Sequence, residues 1–268
     1  MTMGRLQDKI VVVFGGARGI GLATVREMLA EGAVVYSADV REPAEELALA
    51  GSAHYNTVVL DATDEEQVNR FVEDVVDARG RIDVLFNNVG IHLGKPLAET
   101  TLEEFDEVFA LNVRTAFLGT RAVLPHMIGR RGGSIITTSS NGGVMGRPGD
   151  PVYNASKHAL VGLMRSVAVA HAQQGIRANT VNPGAIDTDM LRGTLSSPEE
   201  FESRRHRLVA STPAARVGEA WEVAKAVVFL ACDESRFVNG VSLPVDGAKS
   251  AGAMPSERYS LDFELGPG

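Results

Sequence analysis

Tyr153 and Lys157 stand four apart in Tyr153-Asn-Ala-Ser-Lys157, and the apolar positions around and after them (Ala159, Leu160, Leu163, Met164, Val167) recur at helical spacing. On a helix the pair shares a face, about 6 Å apart along the axis. A free tyrosine titrates near ~10, too high for a base at neutral pH; a neighbouring ammonium favours the phenolate, and a shift of ~3 units is worth roughly 4 kcal/mol. Such a phenol can exchange a proton with an alcohol or a carbonyl. A bare Y-x-x-x-K is more often a surface pair. Here it follows Ile135-Ile-Thr-Thr-Ser139-Ser140, a strand-like run ending in a hydroxyl, so Ser140 can bind a substrate oxygen beside the phenol. Asn112, within Leu111-Asn-Val-Arg114, is a polar side chain inside an apolar helical stretch, unfavourable there unless it has a task.

A second constellation is a glycine turn. Phe14-Gly-Gly-Ala-Arg-Gly-Ile-Gly21 joins a β-branched run to a helix, with Gly15, Gly19 and Gly21 spaced G-x-x-x-G-x-G. Positions without side chains let such a turn pass close to a pyrophosphate, and the helix N-terminus aims unpaired N–H groups at it. An unliganded tight turn is the alternative. Asp39, at the end of the next strand, favours the ligand: a carboxylate there accepts hydrogen bonds from both adenosine ribose hydroxyls and repels a 2′-phosphate. The reading is NAD(H). Arg18, inside the turn, and Arg41, just past Asp39, are the residues that would suit NADP(H) instead.

These residues need a scaffold that brings them to one edge. Strand-like runs occupy 9–14, 33–38, 55–60, 82–86, 134–138, 177–181 and 241–245, and helical-period segments lie near 20–31, 64–79, 102–128, 152–173 and 219–231. Runs such as Ile10-Val-Val-Val-Phe14 suit parallel strands buried on both faces. Thr63-Asp-Glu-Glu66 reads as a capping box opening the second helix. The alternation predicts an α/β fold, a Rossmann-type doubly wound, seven-stranded parallel sheet with helices on both faces. A chain of 268 residues accommodates this as a single dinucleotide-binding catalytic domain, 1–268. Residues 185–214 lack sheet-like alternation and read as a substrate lid. Residues 248–268, rich in Gly, Pro and Ser, form a C-terminal tail that is either disordered or covers a neighbouring subunit or the active-site mouth.

Composition narrows the partners. Apolar residues are 44% and charged residues 22%, the balance of a folded chain. A net charge of −8 argues against a nucleic-acid binder and against docking on an anionic membrane. Cys232 is the single cysteine, which leaves no intrachain disulfide; its apolar surroundings make it a core residue. The six histidines show no metal-ligand spacing, so no metal is expected. No signal-peptide-like or membrane-spanning run is visible, and the expected location is the cytoplasm.

Taken in order, Gly15-x-x-x-Gly19-Ile20-Gly21, Asp39, Asp61, Asn87-Asn-Val-Gly90, Asn112, Ser140, Tyr153-x-x-x-Lys157, Asn182-Pro-Gly184 and Val245-Asp-Gly247 resemble the short-chain dehydrogenase/reductase family over about residues 6–247. The resemblance implies that Tyr153 is the acid/base, that Ser140 holds the substrate oxygen, and that Lys157 binds the nicotinamide ribose and lowers the pKa of Tyr153. Asn112 would hold a water linking Lys157 to solvent. Asp61 and the backbone of Ala62 would meet adenine, Asn88 the adenosine side of the cofactor, and Gly90 would lie along it. Pro183, Gly184 and Ile186 would frame the nicotinamide, with Thr188 near its carboxamide. The chain departs from the family pattern at Phe14, where many members carry a Thr that braces the glycine turn, at Gly16 for a common Ala, at Val89 for Ala, and at Ala248 for Gly.

Substrate residues lie outside these motifs. The loops after the fourth, fifth and sixth strands supply His92, Asn141, Gly142, Met145, Met190 and Leu191. Asn141 and His92 suit a polar substituent; the Met and Leu residues suit an apolar part. The expected substrate is a secondary alcohol, cyclic or aromatic, or its ketone. The apolar faces of 105–127 and 155–170 predict a homodimer or homotetramer. The competing readings are an NADP(H)-preferring ketoreductase and a non-catalytic NAD-binding regulator, the latter opposed by the intact Asn112, Ser140, Tyr153 and Lys157 set.

Overall fold

The β-branched runs assemble into one sheet. In the computed structural model, which describes residues 4–42, 54–193 and 197–252, the strands are β1 (Ile10–Phe14), β2 (Val34–Asp39), β3 (Tyr55–Val59), β4 (Val84–Asn87), β5 (Gly133–Thr138), β6 (Ile176–Pro183), β7 (Ile186–Asp187), β8 (Gly218–Glu219) and β9 (Ser242–Val245). Seven of them form a sheet in the order β3-β2-β1-β4-β5-β6-β9, with every pairing parallel. The chain reverses its direction of travel across the sheet between β1 and β4, so a crevice opens at the carboxyl ends of those strands. Strand alternation feeds two cores. Ile10, Val12 and Phe14 pack on one face with Phe71, Leu118 and Met164, while Val11 and Val13 pack on the other with Val25, Met28 and Val227.

The helices are α1 (Gly19–Ala30), α2 (Glu65–Arg79), α3 (Leu102–Phe109), α4 (Thr115–Arg130), α5 (Pro151–His171), α6 (Asp189–Arg192), α7 (Pro198–Ala210) and α8 (Ala220–Ala231). Three expectations need correction. The cap of α2 is Asp64, whose carboxylate accepts from the backbone N–H of Glu66 and Gln67; Thr63 instead donates its N–H and its hydroxyl to Asp61, both at 2.8 Å. An aspartate is the stronger N-cap, and one position decides which residue takes the role. The helix expected over 102–128 is two helices joined by a π-helical turn at Ala110–Arg114, which holds Asn112. The region 185–214 contains short elements of its own: β7, paired with β8, then α6 and α7. Its far end is tied down where Ala214 N–H donates to the Gly247 carbonyl at 3.1 Å. Of the tail 248–268, residues 253–268 lie outside the described residues, as do 194–196 of the segment expected to be a lid.

Cys232 is buried, as its apolar run predicts. Leu102, Phe105, Phe117 and Val169 are exposed on the helices expected to be apolar on their outer faces. Among the described residues no helix is long and apolar enough to cross a membrane, and no cluster of His, Cys, Asp and Glu has metal-binding geometry.

Candidate active site

The glycine turn passes from β1 into α1 at the switch point. Gly15 takes φ +86°, a backbone region that side-chain-bearing residues avoid. A Cβ at Gly21 would lie 1.9 Å from the Gly15 carbonyl oxygen, so only glycine lets α1 begin this close to the turn. Arg18 is the N-cap and its exposed side chain makes no cap bond. The first-turn N–H groups of Gly19, Ile20 and Gly21 are therefore not capped by it, which is the arrangement an anionic ligand requires. The bracing that Phe14 lacks comes from elsewhere. Asn88 Nδ2 donates to the Gly15 carbonyl at 2.9 Å, and the Ala17 N–H donates to Asp39 Oδ2 at 3.0 Å. Phe14 itself meets Phe71 edge-on, with centroids 5.7 Å apart. Gly16 is matched to Ser37, whose hydroxyl would stand 2.0 Å from any Cβ at position 16.

This bracing revises the part expected of Asn88. Its Oδ1 also accepts from the Thr138 hydroxyl at 2.9 Å and its backbone N–H donates to the Phe14 carbonyl, so the amide braces protein at both ends and keeps one N–H and one lone pair for the adenosine side. Asp39 Oδ1 accepts from the Arg41 N–H at 3.2 Å, and the side chains of Arg18 and Arg41 are exposed nearby. Asp61, exposed, and Ala62, buried, follow β3 at the same edge.

Across the crevice, Tyr153 occupies the first turn of α5 and Ser140 is the second residue after β5; both are buried. Ser140 Oγ accepts from the Gly142 N–H at 3.1 Å and donates to Asn141 Oδ1 at 3.3 Å, beside the phenol whose pKa it lowers. Lys157 is buried one turn below, its Nζ donating to the Thr138 carbonyl at 3.1 Å and lying 5.7 Å from the centre of the Tyr153 ring. Burial pulls the Lys157 ammonium down to about 8. The sequence suggested a phenol lowered by this ammonium. Burial instead pushes Tyr153 above its ordinary value; the Ser140 hydroxyl and the Arg147 charge pull it back, and Asp150 adds to the rise. Desolvation acts on both partners and outweighs their mutual effect.

Asn112, fully buried, reaches this group from the π-helical turn. Its Oδ1 accepts from the Ile91 N–H at 2.7 Å, and its Nδ2 donates to the Ile91 carbonyl and to Ser156 Oγ. A turn of this kind shifts the hydrogen-bond register of a helix and recurs at functional sites. Gly90 lies against the same pair: a Cβ there would stand 2.9 Å from Asn112 Oδ1 and 3.3 Å from Lys157 Nζ.

The end of β6 and the residues after it supply the remaining wall. Pro183 ends β6, the Gly184 N–H donates to the Val245 carbonyl at 3.0 Å, and Ile186 is buried in β7. Thr188 leans over the glycine turn, its Cγ2 lying 3.4 Å from where a Gly19 Cβ would be. Of the substrate candidates, Asn141 and Gly142 are buried, His92, Met145 and Leu191 half-buried, and Met190 exposed on α6. Sequence reasoning missed Thr138, Ser156, Arg147 and Asp150. Thr138 acts through its carbonyl to Lys157 and its hydroxyl to Asn88, and Ser156 through its hydroxyl to Asn112, contacts across the fold that no spacing reveals. Asp150, before Pro151 at the start of a helix, reads as an ordinary N-cap.

A braced glycine turn opening α1, an acidic residue at the end of β2 and a buried Tyr–Lys pair across the crevice define a dinucleotide-dependent oxidoreductase site. A family model described as Enoyl-(Acyl carrier protein) reductase matches residues 15–248. Cyclopentanol dehydrogenase of Comamonas testosteroni is 40% identical over 255 residues, covering 93% of this chain and 100% of that protein. The crystal structure of levodione reductase superposes with a TM-score of 0.87 at 38% identity, covering 92% of this chain and 99% of that one. The structure of ElxO with NADP bound gives 0.84 at 31% identity, covering 92% and 100%. The chain belongs to the short-chain dehydrogenase/reductase family. It is an oxidoreductase acting on CH–OH groups with a nicotinamide cofactor.

Proposed function

We propose that this protein is an NAD(H)-dependent dehydrogenase that interconverts a secondary alcohol, cyclic or aromatic, with its ketone. The observation that carries the reading is the buried phenol of Tyr153, lying above the buried Lys157 across the crevice from the glycine turn. Gly15, Gly19, Ile20 and Gly21 and the N-terminus of α1 hold the pyrophosphate. Asp39 takes the adenosine ribose, Asp61 and Ala62 the adenine, and Gly90 lines the path between. Pro183, Gly184, Ile186 and Thr188 frame the nicotinamide, whose ribose meets Tyr153 and Lys157. When bound, the cofactor supplies the hydride acceptor or donor. The protonated phenol of Tyr153, favoured by its burial, gives its proton to the carbonyl oxygen in reduction; in oxidation Tyr153 takes the alcohol proton after Lys157 has relayed the phenol's own proton away. Ser140 and the phenol hold the charge that develops on the substrate oxygen. Lys157 passes the proton onward. Because the Asn112 side chain is engaged by Ile91 and Ser156, its part in a relay falls to its backbone carbonyl. Asn141, His92, Met145 and Met190 line the substrate side.

Residues 1–268 act as one catalytic domain, with 185–214 as its lid. The exposed Phe105, Phe117 and Val169 support a homodimer or homotetramer, and the working location is the cytoplasm. NADP(H) is the second reading, favoured by Arg18 and Arg41 beside the turn. Asp39 weighs against it, because a carboxylate facing a 2′-phosphate costs several kcal/mol. The test is a panel of secondary alcohols and ketones followed by nicotinamide absorbance with each cofactor. Asp39→Asn keeps an acceptor for Ala17 and removes the charge. It is expected to swing the NAD/NADP ratio of kcat/KM towards NADP by on the order of 10²-fold, roughly 3 kcal/mol. A wild-type enzyme that prefers NADP, or a variant with an unmoved ratio, would refute the NAD assignment.

A further inference from the structure

Asp150 begins α5 yet makes no cap bond with its side chain, although aspartate is among the strongest N-caps. Its carboxylate is turned elsewhere and buried. Oδ2 accepts from Arg147 Nη2 at 2.8 Å and pairs with His92 Nε2 at 3.0 Å. Oδ1 is buried with no donor among the described residues. The imidazole of His92 stands edge-on against the Tyr153 ring, with centroids 4.8 Å apart. A carboxylate only accepts, so the His92 proton facing it resides on Nε2. In the neutral form of the ring the lone pair lies on Nδ1, which has no hydrogen-bond partner among the described residues.

The charges of this cluster balance, Arg147 against Asp150, so it offers no net attraction to an anionic group. What it offers beside the reacting phenol is one oriented acceptor. We propose that His92, fixed by Asp150, accepts a hydrogen bond from a second hydroxyl of the substrate, one or two carbons from the reacting carbon. The substrate class is then a neutral diol or hydroxy ketone rather than a simple alcohol. This rests on the alcohol dehydrogenase reading above and narrows it. Selectivity follows from the chemistry: a site built to hydrogen-bond a hydroxyl rejects the analogue that lacks it far more strongly than an apolar pocket distinguishes methylenes. His92 contacts the substrate; Asp150 is a positioning residue that acts through it.

The experiment compares cyclopentanol with the cis and trans 1,2-cyclopentanediols, using full-length enzyme and whichever nicotinamide cofactor it accepts. Wild type is expected to favour the better diol by about 30-fold or more in kcat/KM. His92→Leu should bring that ratio to within about threefold of unity. Asp150→Asn should raise the diol KM by about tenfold while moving kcat much less, and Asp150→Glu should restore part of the preference. A wild-type ratio at or below unity overturns the inference, as does a His92→Leu enzyme that loses both alcohols by the same factor. Turnover of cyclopentanol with no diol preference overturns this inference alone. Turnover of neither alcohol by a protein that still binds cofactor overturns the dehydrogenase reading with it.

Discussion

Tyr153→Phe is expected to lower kcat by about 10³-fold, roughly 4 kcal/mol of transition-state stabilisation, while changing NADH affinity little. The substitution removes one oxygen and leaves the ring. That ring is buried and packs edge-on against His92, so the fold of the α5 start is retained. What is lost is the proton acceptor and one of two groups that hold the substrate oxygen; Ser140 remains, still accepting from the Gly142 N–H. A residual rate therefore persists through proximity to the cofactor. Single-turnover kinetics should show hydride transfer becoming fully rate-limiting, with a larger isotope effect from deuterium on the reacting carbon. NADH titration by fluorescence reports the unchanged affinity. A variant within tenfold of wild type would remove Tyr153 from the chemistry.

How legible this site was depends on what each part rests on. The seven strands of the sheet appear within two residues of their expected limits; for central strands such as β1 and β4 this is because a strand buried on both faces writes itself as an unbroken apolar run, whereas β3 and β9 at the edges are largely exposed or only partly buried. The glycine turn and Tyr153–Lys157 were legible because backbone approach and helical periodicity are local facts. The π-helical turn at Ala110–Arg114 was not. Its register depends on Asn112 reaching Ile91 and Ser156, partners 21 and 44 residues away in sequence. The cap at Asp64 was off by one because Thr63 and Asp64 are both cap-forming residues, and only the loop bond to Asp61 separates their roles. The direction of the phenol's shift in the cofactor-free protein has a different origin. Spacing reveals that a lysine is near, and says nothing of how thoroughly both groups are withdrawn from water. Asp150 shows the same limit, since its partner His92 lies 58 residues earlier.

Lys157→Met carries the second large effect, and it has two opposite parts. Activity should fall by about 10²-fold or more, because the ammonium that passes the proton is gone. Stability of the cofactor-free protein should rise. Burial holds Lys157 at about 8 in the folded state against 10.5 for an exposed lysine. At pH 7 the group is protonated in both states, so the folded protein bears the whole cost of a charge out of water, roughly 3 kcal/mol by the linkage relation. Between pH 8 and 10.5 the unfolded chain binds more protons than the folded one, so wild-type stability gains with pH across that window. Methionine has similar length, fills the same space and carries no charge; it forfeits only the bond to the Thr138 carbonyl. The variant should therefore be more stable than wild type in denaturant at pH 7, with the gap closing towards pH 10. A gap that is absent at neutral pH, or that widens on going alkaline, would mean that the folded protein bears no such cost. The physical logic is that of a site whose charge is kept where folding alone would discard it.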